Sequence, residues 1–356
     1  MTVELLHPRT RTDVEQTLRA ASEAGTRVSI VGGRRHIDKG NPAEVDAELW
    51  TTQLDRVVAY EPAEMLVVVQ SGMRCGTLAS LLAEHSQEWP ADAPPDATVG
   101  GVIASASSSS RRLAVGPLRD TVVEMELVTG DGRPVTSGAR TVKNVTGYDV
   151  HRLMTGSLGT LGVITQVALK VRPLPERAVS VVAQGGFEVA AAIAAGVPRT
   201  AGVVATPGEV EVRVEGWSAE VDPIVASVGD LAGGVTILDG APFPRAPWWT
   251  WPDAGTIAEA AVAPSRLAHV LDGTTRYAAL AGVGLAWIGA ASPDEVASIR
   301  ARAASAGGIA PAVRGPGGLG DSPPAAPDVH RRLRASFDPA GILAPGRAWG
   351  SDAAAR

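Results

Sequence analysis

A chain of 356 residues, 20% charged and 45% hydrophobic, is long enough to bury a large core and reads as two domains or one domain with a cap. Its formal charge of −6 argues against nucleic acid as a main partner, because phosphate binding needs a basic surface and no basic stripe compensates. The only cysteine, Cys75, excludes an internal disulfide, a cysteine-held iron–sulfur cluster and a cysteine-rich zinc site.

The opening MTVELLHPRT has no apolar leader core, and no stretch approaches about 18 uninterrupted apolar residues, so the expectation is a cytoplasmic chain without a transmembrane segment. Thr12 and Glu15 stand at capping-box spacing after Pro8. Val14, Leu18, Ala21 and Ala24 then share roughly one helical face, which predicts a helix closed by Gly25. Val28 to Val31 reads as a strand emptying into Gly32 and Gly33, a turn that can aim backbone N–H groups at an anion.

The apolar run Met65 to Val69 predicts a second strand, followed by Ser71-Gly72 and a helix carrying Leu78, Leu81 and Leu82. In APPDATVGGVIASASSSSRR, from Ala93, Pro94 and Pro95 fix an extended entry, Thr98 offers a hydroxyl, and Gly100-Gly101 permits close approach. Ser107 to Ser110 fit a flexible loop with no ligand as well as a binding stretch. Thr121 to Thr136 reads as a hairpin turning at Gly130-Asp131-Gly132.

Residues 141–171 form the central element. It opens with Lys143, Asn144, Tyr148 and Asp149, and both Asp149 and His151 read as structural, Asp149 as a turn or cap residue. Gly156, Gly159 and Gly162 recur every third residue, which suits either a bulky cofactor against bare main chain or a tight turn before a strand. From Val163 the odd positions to Val171 alternate with Ile164, Gln166, Ala168 and Lys170, predicting a strand with one face more buried.

Pro173 and Pro175 mark a boundary, giving residues 1–175 as a first domain of two α+β subdomains, 176–325 as an α+β cap, and 326–356 as a tail. In the cap, Val210 to Val214 is strand-like and Asp222 to Leu231 helix-like, and a further alternation runs from Pro264 to Arg302. FPRAPWWTWPD sets Trp248, Trp249 and Trp251 beside Arg245, either as an aromatic wall with a cation for a carboxylate or as packing at an interface. Pro311 to Pro327 reads as a Gly/Pro-rich linker, and a helix Asp328 to Ser336 leads into FDPAGILAPGR.

Three words carry a resemblance: VKNVTGYDVHRLMTGSLGTLGVI, the PDATVGG stretch from Pro95, and FDPAGILAPGR. They resemble the vanillyl-alcohol oxidase, or p-cresol methylhydroxylase-type FAD-binding, superfamily, and within it the FAD-binding subunits of bacterial glycolate oxidases. The resemblance implies an α+β fold, with a p-cresol methylhydroxylase-type FAD-binding domain and an α+β cap. It places FAD against Gly32, Gly33, Arg34, Arg35 and His36, then Pro95, Asp96, Ala97, Thr98, Gly100, Gly101, Ser105 and Arg112. A third set is Gly156, Ser157, Gly159, Gly162, Val163 and Ile164, with Arg347 from the tail.

It also implies oxidation of a 2-hydroxy acid such as glycolate, beside a second flavoprotein subunit and an iron–sulfur subunit. The chain departs from the family at several points. VGGRRHIDKG replaces a triple-glycine loop, and the position matching a flavin-linking histidine is Arg35 rather than His36, so non-covalent FAD is expected. Ser109 and Ser110 replace Gly-Pro, and Ala344 replaces the usual Asn. RGPGGLG stands where a metal-binding Gly-Glu-His-Gly word is common, so no metal is expected and no catalytic residue is named. The alternative is an assembly subunit that keeps the fold and binds FAD weakly or not at all.

Overall fold

The structure, a computed structural model, describes residues 3–140, 148–251, 255–319 and 326–348. Lys143 and Asn144 lie outside the described residues. The chain divides into two compact units, the first Met1–Ser108, Pro117–Pro173 and Asp321–Arg356, the second Ser109–Gly116 and Leu174–Gly320.

In the first unit, β1 (Glu4–Leu6), β2 (Val28–Val31) and β3 (Ala47–Trp50) form a parallel sheet of order β1-β3-β2. Helix α1 (Arg11–Ala24) buries Val14, Leu18 and Ala21 in one cluster with Val28, Ala47 and Leu49. Its capping box is Thr10 with Asp13, not Thr12 with Glu15. Thr10 Oγ1 accepts from Asp13 N at 3.1 Å, and the Asp13 carboxylate accepts from Thr10 N at 3.0 Å and Arg9 N at 2.9 Å. The earlier box wins because Asp13 caps as well as a glutamate and satisfies two N–H groups upstream of Thr12. Glu15 instead pairs with Arg11 one turn away at 3.0 Å. Gly25 closes the helix at φ 68°, a left-handed conformation that suits glycine.

A five-stranded antiparallel sheet follows the order β4-β5-β9-β7-β8. It begins with β4 (Val57–Glu61) and β5 (Leu66–Gln70), after which come α2 (Cys75–Ala83), the short β6 (Gln87–Glu88) and α3 (Val99–Ser105). Met65 falls outside its predicted strand, in a left-handed turn at φ 52°. The short α4 (Arg112–Val115) belongs to the second unit. The hairpin of β7 (Val122–Val128) and β8 (Pro134–Gly138) and the helix α5 (Val150–Met154) belong to the first.

Strand β9 (Val163–Lys170) is the centre of the sheet, and a two-residue β10 (Arg172–Pro173) pairs with β6. Val163, Thr165, Val167 and Leu169 are buried as the alternation predicts, and Ile164 and Ala168 are buried too, so both faces of β9 are covered. The chain end joins this unit by pairing with β2. Leu343 forms a parallel bridge to Val28, whose N–H donates to Ile342 O at 2.8 Å and whose carbonyl accepts from Ala344 N at 2.8 Å.

The second unit is an eight-stranded antiparallel sheet. In chain order it contains β11 (Arg177–Gln184), α6 (Phe187–Gly196), β12 (Thr200–Thr206), β13 (Glu209–Gly216), α7 (Ser218–Ala232) and β14 (Thr236–Asp239). It continues with β15 (Thr256–Ala261), α8 (Leu267–Leu271), β16 (Tyr277–Leu280), β17 (Leu285–Ala290), α9 (Pro293–Ser305) and β18 (Ala312–Arg314). The strand order is β14-β11-β13-β12-β16-β17-β15-β18. Val210, Val212 and Val214 turn to the face covered by α6, α7, α8 and α9, while Val204, Ile257 and Leu280 turn to the other.

On that second face Trp248 is buried and stacks on Trp287 with centroids 6.1 Å apart, so Trp248 is a core residue of this unit. Arg245 pairs with Glu209 and, at 3.5 Å, with Glu211, so its charge is compensated within the sheet. The predicted linker from Pro311 is also corrected. Ala312 to Arg314 forms β18 because its backbone pairs with β15 at the sheet edge.

Candidate functional site

Three stretches separated in sequence converge on one cleft in the first unit. It opens to solvent, and its enclosed volume of about 80 Å³ is small beside the roughly 300–1,000 Å³ of small-molecule sites. The first stretch is the end of β2 and its loop, contributing Gly32, Gly33, Arg34, Arg35 and His36. The second is the entry to α3 and its first turns, contributing Ala97, Thr98, Gly100, Gly101 and Ser105. The third contributes Gly159, Gly162 and Ile164 ahead of and within β9, and Arg347 joins from the tail.

The glycines answer first to the chain's own packing. A β-carbon on Gly32 would lie 2.1 Å from Thr98 Oγ1, one on Gly33 2.6 Å from the Asp96 carbonyl, and one on Gly100 2.7 Å from Ser71 Cβ. Gly162 would meet the Val128 carbonyl at 2.7 Å, and Gly159 combines φ 75° with Ile30 Cβ at 3.1 Å. These residues let the three stretches touch. Gly101 is different: its β-carbon would meet Thr98 Oγ1 at 2.9 Å and otherwise open space, so bare main chain there faces room that a ligand can fill.

Backbone donors divide in the same way. The N–H groups at the start of α3 are spent inside the protein, Val99 on Met73 O at 2.9 Å, Gly100 on Ser71 O at 2.7 Å and Gly101 on Thr98 Oγ1 at 3.2 Å. Gly32 to Arg35 lie beyond the last ladder pair, Val31 with Trp50, and form the loop. The two loop arginines line the cleft and are each paired with a carboxylate. Arg34 takes φ 58°, donates to both Glu48 carboxylate oxygens at 2.9 and 3.0 Å, and lies 5.3 Å over the Trp50 ring. Arg35 pairs with Asp96, its Nε donating at 2.8 Å, which holds the Asp96 carboxyl below its ordinary value and raises the guanidinium.

Arg347 donates to Ile37 O at 2.7 Å, and Asn41 N donates to Arg347 O at 2.8 Å, fixing the tail against the loop. Burial pushes the Arg347 guanidinium below its ordinary value, with Asp38 opposing the shift.

Six of the expected contacts lie off the cleft lining. Pro95 packs on Gly76, Asp96 is engaged by Arg35, and Gly156 donates its N–H to Ile103 O at 3.0 Å. Val163 is buried in the core beneath α1, Ser157 is buried outside the lining, and Arg112 belongs to the second unit. Ser107 to Ser110 are each buried. Asp149 makes no side-chain cap on α5, and His151 is held by Ser137 Oγ at 3.1 Å, its pKa lowered by burial.

Sequence reasoning missed Ile30, Val31, Ile37, Thr51, Ser71, Ala104 and Leu158. For Ser71 the signal was present: it follows a buried strand and precedes a glycine. Thr51 carried no comparable mark. Among the described residues, no group of His, Cys, Asp and Glu could hold a metal ion, and no helix is long and apolar enough to cross a membrane.

This α+β architecture is the fold of p-cresol methylhydroxylase-type FAD-binding proteins. Residues 4–138 match the family model described as "FAD binding domain". The fold matches that of alkyldihydroxyacetonephosphate synthase with a TM-score of 0.70 at 18% identity, covering 97% of this chain and 77% of that one. In sequence, the chain is similar to glycolate oxidase subunit GlcE of Escherichia coli (strain K12), 29% identical over 308 residues, 82% of this chain and 84% of that protein. It is also similar to the mitochondrial cytochrome D-lactate dehydrogenase of Arabidopsis thaliana, 32% identical over 49% of this chain and 31% of that one. The mitochondrial D-2-hydroxyglutarate dehydrogenase of Bos taurus is 33% identical over 48% of this chain and 32% of that one. The chain therefore spans about a third of each of those two dehydrogenases.

Proposed function

We propose that the cleft holds FAD non-covalently and that the chain is the flavin-bearing part of an oxidoreductase acting on a 2-hydroxy acid. One observation carries the reading: loop, helix entry and pre-strand turn, far apart in sequence, meet around one solvent-open space whose rim arginines are held to its sides. The residues fit the cofactor. Gly32 to Arg35 offer backbone N–H groups to a pyrophosphate. Ile30, Ala104, Leu158 and Ile164 give an apolar lining, and the open space beside Gly101 admits close approach. When bound, the flavin supplies a two-electron acceptor for oxidation of an alcohol carbon.

The similarity to GlcE and to two D-2-hydroxy acid dehydrogenases supports the substrate class. Because GlcE is a subunit, the proposal extends to partners: a second flavoprotein subunit and an iron–sulfur subunit that carry electrons away. The competing reading is an assembly subunit that keeps the fold without the cofactor. It draws on Arg34 and Arg35, which occupy the loop and are neutralised by carboxylates.

One preparation separates the two. The proposal expects flavin bands that survive desalting and pass into the supernatant when the protein is acid-precipitated. A colourless chain that takes up no added FAD, and gains no thermal stability from it, establishes the assembly reading. Bleaching of the bands on anaerobic addition of a 2-hydroxy acid to the co-purified complex reads the substrate class.

A further inference from the structure

Four hydroxyl side chains line the cleft and are buried: Thr51, Ser71, Thr98 and Ser105. Three of them are used within the protein. Thr51 Oγ1 donates to Val31 O at 3.4 Å, Ser105 Oγ donates to Val102 O at 3.1 Å, and Thr98 Oγ1 accepts from Gly101 N at 3.2 Å. Ser71 is 1% exposed, and among the described residues its Oγ has no hydrogen-bond partner.

Nothing local explains that vacancy. The Ser71 backbone is fixed on both sides, its N–H donating to Thr165 O at 3.0 Å and its carbonyl accepting from Gly100 N at 2.7 Å. Its Cβ stands 2.7 Å from where a β-carbon on Gly100 would be, so the residue is wedged at the end of β5 against the start of α3. The side chain cannot drift to water to satisfy itself. A buried hydroxyl without a partner destabilises the protein that carries it, and alanine would fill the position without that penalty.

We infer that Ser71 is a cofactor-binding residue whose hydroxyl is held in reserve for a polar atom of the flavin dinucleotide, so that the cofactor-free protein carries a penalty which loading removes. The inference rests on FAD occupying the cleft and adds a contact that neither the glycine-rich words nor the loop arginines supply. It also gives a signature that a merely structural serine cannot produce: one substitution moves apo stability and cofactor affinity in opposite senses.

The test is Ser71→Ala in the full chain, stripped of flavin and compared with wild type in two measurements. In thermal unfolding of the apo-proteins, the variant melts higher. In equilibrium titration with FAD, followed by quenching of flavin fluorescence, its Kd is weaker by about fivefold to tenfold, the loss of one ordinary hydrogen bond. Ser71→Thr, which keeps the hydroxyl, retains affinity more nearly than Ser71→Ala does. An apo melting point lowered by Ser71→Ala shows that the hydroxyl already has a partner and overturns the inference, as does an unchanged Kd. If wild type itself fails to bind FAD, the cofactor reading has failed and the inference falls with it.

Discussion

Substituting Gly32 by alanine tests whether the loop glycines serve the protein's own packing. The added β-carbon would lie 2.1 Å from Thr98 Oγ1 and 3.3 Å from Thr98 Cβ, so the threonine has to move. Thr98 is buried and caps α3 through Gly101 N at 3.2 Å, so moving it costs an overpacking penalty of about 1–3 kcal/mol and much of a cap worth about 0.5–2 kcal/mol. The expected destabilisation is therefore about 2–4 kcal/mol. Thr98→Ala removes the clashing oxygen, leaving the 3.3 Å contact, so Gly32→Ala on that background should cost less than about 1 kcal/mol. The assay is urea unfolding of the flavin-free single and double variants, read by labelling of Cys75, the chain's only cysteine, which reports on the first unit. A Gly32→Ala cost below about 0.5 kcal/mol, or strictly additive single costs, would refute the reasoning.

Three further outcomes follow from other contacts. Asp338 is 2% exposed and accepts from Ile342 N at 3.0 Å and Leu343 N at 2.9 Å, so Asp338→Ala strands two buried donors. It should destabilise the first unit by about 2–4 kcal/mol, and denaturant midpoints check this. Burial pushes the Cys75 thiol up to about 12, so a disulfide reagent at pH 8 should leave the native protein unlabelled and react fully only after unfolding. Burial lowers the His151 pKa from 6.5, so its unfolded form binds the proton first as pH falls. The stability associated with a neutral His151 is complete above the unfolded value and declines below it towards the lower folded value. His151→Gln should flatten that part of a stability–pH profile, and an unchanged profile would show that another group sets it.

Much of the first unit was legible because its signals are local. Val14, Leu18 and Ala21 at helical spacing, Gly25 at a helix end and the alternation from Val163 each mean one thing whatever surrounds them. Boundaries were less legible where two local choices compete. Thr10 with Asp13 and Thr12 with Glu15 both have capping-box spacing, and only the upstream pair forms the box. Long-range facts were not legible at all. That Gly32 must be bare because Thr98 stands against it, or that Ser71 ends without a partner, depends on which segments meet. The edge strand Ala312–Arg314 was hidden by its Gly- and Pro-rich surroundings, since edge pairing needs only three residues and no strong pattern. For Trp248 and Arg245 the sequence left a binding wall and interface packing both open, because it shows neither the Trp287 ring nor Glu209 and Glu211 that engage them.

The central claim is that the cleft bounded by Gly32 to His36, Ala97 to Ser105 and Leu158 to Ile164 receives FAD. A structure determined at high resolution from crystals grown with saturating FAD tests it most directly. Continuous density for the dinucleotide is expected along that cleft, with its phosphates beside the Gly32 to Arg35 backbone and a polar atom within hydrogen-bond reach of Ser71 Oγ. Density elsewhere, or a cleft filled by the side chains of Arg34 and Arg35, would contradict it.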